Sequence, residues 1–133
     1  MDKKIRVFLA KPGLDGHDRG ALIVGQALMS AGMEVIYSGL KQTPEMIAEA
    51  AIQEDVDVLG LSMLSGAHMI LIPRIMDILR SNSAGDILVL AGGVIPRDDA
   101  EVLISEHGLS RVFGPGTDTN DIVSYIRENV RAG

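Results

Sequence analysis

The chain has 133 residues, 47% of them hydrophobic and 23% charged, with a net charge of −6 and no cysteine. That length suits one domain with a hydrophobic core of its own and excludes a large multidomain enzyme, so residues 1–133 read as a single unit. The acidic balance, with few aromatic residues and no tryptophan, excludes a nucleic-acid surface, and the missing cysteines exclude disulfides, thiolate catalysis and thiolate metal sites.

No apolar run approaches the roughly 20 residues that a membrane span requires, and the stretch from Met1 to Lys4 lacks the apolar segment of a signal peptide. A cytoplasmic protein with no membrane or nucleic-acid partner is expected, and a reducing compartment fits the cysteine count.

Short apolar runs at 5–10, 34–37, 56–61, 87–91 and 111–113 alternate with helical patterns. Those at 5–10, 56–61 and 87–91 lack polar alternation, as strands buried on both faces do. Between the first run and a helix predicted over 18–31 lies a turn with Gly13, Gly16 and Gly20, and with Lys11, Asp15 and His17 among them. Glycines there permit positive φ and close approach of a ligand to the backbone. Asp15 and His17 leave the same side of an extended segment, and the set is compatible with a relay from Lys11 through Asp15 to His17. A carboxylate on the imidazole Nδ1–H fixes the tautomer and leaves Nε2 for a proton or a metal.

Helix one carries Ala21, Val24, Leu28 and Ala31 at helical spacing and ends at Gly32. Helix two starts at the N-cap Thr43 with Pro44 in its first position and turns Ile47, Ala48, Ala51 and Ile52 toward the sheet. Helix three is predicted over 67–81 with a kink at Pro73, helix four over 96–106, and helix five over 118–132 with Thr117 or Asp118 as its cap. The alternation predicts an α/β, flavodoxin-like (Rossmann-like) fold: a five-stranded parallel sheet in the order 2-1-3-4-5 with helices on both faces. In that order ligands bind beyond the carboxyl ends of the strands, at the switch point between strands one and three. The 11–20 turn belongs there, followed by the turns at 62–66, 92–96 and 114–117. All are rich in glycine and small residues and together describe a cleft for a large flat or phosphate-bearing ligand.

Of the other histidines, His107 reads as a cation at a helix end, and His68 reads as a solvent-exposed first-turn residue, with a place in the cleft lining as the alternative. A receiver domain is excluded because Gly60-Leu61-Ser62 stands where strand three would carry its Asp, and the loop after strand one is neither a flavodoxin phosphate loop nor a G-x-G-x-x-G fingerprint. The methionines read as packing.

Asp15-Gly16-His17-Asp18-Arg19-Gly20 resembles the D-x-H-x-x-G motif of cobalamin-binding domains, and Ser62-Met63-Leu64 and Gly92-Gly93 resemble the S-x-L and G-G motifs that accompany it. The longer strings around Lys11, Gln42-Thr43-Pro44-Glu45, Gly92-Gly93-Val94-Ile95-Pro96 and Phe113-Gly114-Pro115-Gly116-Thr117 resemble, more narrowly, the cobalamin domain of the methylmalonyl-CoA mutase family. The resemblance spans nearly the whole chain. It implies that His17 is the axial cobalt ligand in place of the cofactor's own dimethylbenzimidazole, supported by Asp15 and Lys11. The displaced nucleotide tail would then lie between the 62–66 turn and Gly92-Gly93, with Ser62 bonded to the base, Leu64 packed on it, Gly66 in the same turn, Gly92, Gly93, Gly116 and Thr117 along the tail, and Phe113 as an aromatic wall.

The family's rearrangement takes place on an acyl-CoA in a (β/α)8 barrel of roughly 200 residues or more, which this chain is too short to include. The resemblance therefore implies the adenosylcobalamin-binding small subunit of a heteromeric isomerase, with no catalytic residue of its own and inactive without a barrel-bearing large subunit. Methylmalonyl-CoA is the leading substrate. Alternatives are a 2-hydroxyisobutyryl-CoA-type mutase or a cobalamin carrier, sensor or methyl-transfer module; the last usually carries a helical bundle ahead of this domain, where only four residues precede the first run.

Overall fold

A computed structural model describes residues 4–10, 19–37, 43–63 and 67–130, Arg19 in its backbone only. Five strands, β1 (Arg6–Ala10), β2 (Glu34–Tyr37), β3 (Val58–Met63), β4 (Leu88–Gly93) and β5 (Arg111–Phe113), alternate with five helices, α1 (Arg19–Ser30), α2 (Pro44–Gln53), α3 (His68–Ser81), α4 (Arg97–His107) and α5 (Thr119–Asn129). The sheet is parallel in the expected order β2-β1-β3-β4-β5.

Strand alternation divides the apolar residues between two cores. Phe8 and Ala10, Leu59, Leu61 and Met63, and Val89 and Ala91 face α2, α3 and α4, where they pack on residues such as Ile47, Ile72, Ile75 and Leu103. Val7, Leu9, Val58, Leu90 and Phe113 face the other way, against Leu28 of α1 and Ile122, Val123 and Ile126 of α5.

The helix ends follow the expected chemistry. Thr43 Oγ1 accepts from Met46 N at 3.1 Å with Pro44 just inside the helix, and Asp118 rather than Thr117 caps α5, accepting from Asn120 N at 2.9 Å. Gly32 and Gly108 end their helices at φ 91° and 82°, in the left-handed region that favours glycine. Pro73 lies inside α3, which runs as one helix from His68 to Ser81.

Two corrections concern the strands. β3 and β4 each run two residues further than the sequence predicts, so Ser62, Gly92 and Gly93 belong to the sheet and not to the turns that follow. The ladder explains it: Ser62 pairs with Gly92 and Met63 with Gly93, and central strands between two covered faces keep pairing whatever their side chains. Gly93 has φ 125°, and a Cβ there would come within 2.0 Å of the Met63 carbonyl oxygen, so only glycine closes this end of the ladder.

Candidate functional site

A cleft of about 540 Å³ opens at the carboxyl edge of the sheet and runs down its α1/α5 face. Its floor is Leu9 of β1, Gly60 and Ser62 of β3 and Gly92 of β4; Ala21 and Val24 of α1 form one side, and Phe113 with Ile122 of α5 the other. The sequence produces this space by omission. Val58, Gly60 and Ser62 lie on one face of β3, and Val58 alone brings a bulky apolar side chain to it. Gly60 pairs with Leu9 and Leu90, and a Cβ on it would stand 2.7 Å from Leu9 Cδ2. On β4 the partner of Ser62 is Gly92, whose absent Cβ would meet nothing nearer than the Phe113 carbonyl oxygen at 3.7 Å.

Phe113 is held from behind. Its ring meets Tyr125 edge to face at 5.7 Å and 78°, and the Arg111 guanidinium lies 5.2 Å from both ring centroids. The Tyr125 hydroxyl shares a hydrogen bond with Ser110 Oγ, which fixes the stack to the start of β5. Beyond Phe113, Thr117 Oγ1 donates to the Gly114 carbonyl at 2.7 Å, folding residues 114–117 into a turn in which Gly116 takes φ 82°. At the mouth, Ile23 and Val94 stand 53% and 73% exposed, apolar groups presented to whatever enters.

Of the residues singled out in the sequence, Gly20, Ser62, Gly92, Gly93, Phe113, Gly116 and Thr117 line this one cleft, although they come from α1, β3, β4, β5 and the turn before α5. Arg19 opens α1. Lys11, Asp15, Gly16, His17, Asp18, Leu64 and Gly66 lie outside the described residues. Gly60 was missed as a site residue, although its two-residue offset from Ser62 signals it.

His68 is a correction. It opens α3 but is 5% exposed, lies outside the cleft, and binds Asp99 Oδ2 through Nε2 at 2.8 Å. His107 ends α4 ahead of Gly108, as its helix-end reading requires. Among the described residues no group of three or more His, Asp or Glu side chains is placed to hold a metal ion, and no helix is long and apolar enough to cross a membrane.

A glycine-floored apolar slot at the switch point of a 2-1-3-4-5 sheet defines a ligand-binding α/β domain. The model of the B12 binding domain matches residues 5–124, and the chain belongs to that family. It is 52% identical to the 2-hydroxyisobutanoyl-CoA mutase small subunit of Aquincola tertiaricarbonis, over 96% of this chain and 93% of that one. It is 43% identical to methylmalonyl-CoA mutase of Rhizobium meliloti (strain 1021), over 95% of this chain but 18% of that enzyme. Among solved structures, a cobalamin-binding protein from Desulfitobacterium hafniense DCB-2 superposes with a TM-score of 0.80 at 21% identity, covering 97% of this chain and 60% of that one, which shows a shared fold.

The slot fits cobalamin in kind. Gly60 and Gly92 leave open a cradle that ordinary side chains would fill, its walls are apolar, and Ser62 offers a hydroxyl in its lining.

Proposed function

We propose that this chain is the cofactor-carrying small subunit of a heteromeric acyl-CoA mutase, binding adenosylcobalamin with its nucleotide tail in the α1/α5 slot and His17 on cobalt. The observation that carries the reading is the slot itself: residues from separate stretches of the sequence converge on one apolar, glycine-floored cleft. Gly60, Gly92 and Gly93 make room, Phe113 supplies a flat wall, and Ser62 can donate to a base nitrogen. Lys11, Asp15, Gly16, Asp18, Arg19 and Gly20 shape and support the His17 turn. Leu64 packs on the displaced base, Gly66 belongs to the same binding set, and Gly116 and Thr117 flank the tail. When bound, the cofactor supplies radical chemistry by homolysis of its cobalt–carbon bond.

The acyl-CoA and the residues that act on it belong to a large subunit with a (β/α)8 barrel, which also covers the corrin and excludes water from reactive intermediates. The heteromer works in the cytoplasm, in keeping with a cysteine-free chain. The similarity to a 2-hydroxyisobutanoyl-CoA mutase small subunit along nearly its full length supports a branched acyl-CoA as substrate, beside the methylmalonyl-CoA that the sequence motifs favour.

The test mixes the chain with the large subunit encoded beside it, adds adenosylcobalamin, and offers 2-hydroxyisobutanoyl-CoA and methylmalonyl-CoA in turn. Rearranged product that requires both chains is expected. Full activity of the large subunit alone refutes the reading, as does a His17→Ala complex whose bound cobalamin has the wild-type absorption spectrum.

A further inference from the structure

His68 is the one buried polar or charged residue among those described, and the cofactor reading gives it no task. Its Nε2 lies 2.8 Å from Asp99 Oδ2, and its Nδ1, equally buried, has no hydrogen-bond partner among the described residues. With Nε2–H donating to the carboxylate, Nδ1 carries a buried lone pair. An apolar side chain of similar size would avoid that cost, so the imidazole is held for the bond it makes and not for packing.

The bond's position in the chain shows what it does. His68 is the first residue of α3, which follows β3 in the chain; Asp99 is the third residue of α4, which follows β4. Those two strands are neighbours whose last pairs are Ser62 with Gly92 and Met63 with Gly93. The bond therefore closes a ring around the carboxyl ends of both strands, on the face opposite the slot. Inside that ring the Gly93 backbone presses on the Met63 carbonyl so closely that no Cβ fits. Ser62, Gly92 and Gly93 line the slot from the same ring.

We propose that His68 is a positioning residue for the cofactor's nucleotide tail. Through Asp99 it ties the start of α3 to the start of α4 behind the paired ends of β3 and β4, and so fixes where Ser62, Gly92 and Gly93 stand in the slot's floor. This rests on the tail-in-slot reading above.

The experiment uses the chain assembled with its large subunit and titrates hydroxocobalamin and cobinamide, a corrinoid that lacks the nucleotide tail, while following the corrin spectrum. Wild type binds cobalamin more tightly than cobinamide. In His68→Ala, cobalamin affinity falls by about tenfold or more while cobinamide affinity stays within about twofold, so the discrimination collapses. His68→Gln, whose amide N–H can reach Asp99, recovers most of it. Should His68→Ala fail to fold, Asp99→Asn weakens the same bond at a half-exposed residue and narrows the ratio severalfold. Unchanged discrimination in a folded His68→Ala or in Asp99→Asn overturns the proposal, and so does an equal loss for both corrinoids, which marks a general loss of fold. A wild-type complex that binds both corrinoids alike overturns instead the tail-in-slot reading on which the proposal rests.

Discussion

Gly92 and Gly93 are adjacent, and replacing each should have opposite consequences. At Gly92 the backbone is that of an ordinary strand, and a new Cβ would meet only the Phe113 carbonyl oxygen, at 3.7 Å. Adding it lowers the entropy of the unfolded chain, so Gly92→Ala should stabilise the cofactor-free protein by about 0.4–1 kcal/mol. Gly92→Val keeps that compatibility with a strand and sends two further methyl groups into the slot. Overfilling a packed site costs about 1–3 kcal/mol, which weakens cobalamin binding about 5- to 140-fold. At Gly93, by contrast, φ is 125° and the Met63 carbonyl oxygen lies 2.0 Å from the new Cβ, so Gly93→Ala must break the last β3–β4 pair. Strained φ alone costs about 1–3 kcal/mol before that clash is relieved. Thermal unfolding of the free chains and spectral titration of the complexes with cobalamin measure the two effects separately. A folded Gly92→Val that binds cobalamin as tightly as wild type would refute the assignment of the tail to this slot.

Other residues give smaller tests. Leu28 of α1, 1% exposed in the core that α1 and α5 share with the sheet, should cost about 2–5 kcal/mol when changed to Ala, read by urea unfolding. Thr43→Ala removes the α2 cap and should cost about 1 kcal/mol in the same assay. The hydrogen bond from the Arg74 guanidinium holds the Glu45 carboxyl below its ordinary value of 4.5. A lowered folded-state value stabilises the protein above pH 4.5, and that contribution fades as pH falls below it. Arg74→Met should therefore raise the Glu45 titration midpoint seen by NMR, and its stability deficit against wild type should shrink on acidification.

The pattern of apolar runs was enough to order the sheet, because buried parallel strands and their crossovers leave few arrangements open. The runs at 34–37 and 111–113 matched β2 and β5 residue for residue. Strands β3 and β4 ended later than predicted because serine and glycine read as turn signals, yet pairing between central strands carries Ser62, Gly92 and Gly93 into the sheet. The cleft was legible as a set of glycine-rich turns, but Gly60 was noticed only as the absence of a receiver Asp. Its importance follows from facing Leu9, a long-range relation that no local window contains. His68 misread for the same reason: a polar residue opening a helix is ordinarily wet, and its burial depends on Asp99, 31 positions away.

The slot also bears on how the protein is made and kept. It is cut out of one of the two cores, so α1 and α5 meet the sheet across a gap where a domain of this kind would ordinarily bury side chains. An occupant of that gap completes the interior and becomes part of what holds the chain folded. A ligand bound only by the folded form adds about 2.7 kcal/mol of stability when it is present at a hundred times its dissociation constant. A shortage of such a ligand would in this way lower the stability of the folded chain as well as leave the slot empty.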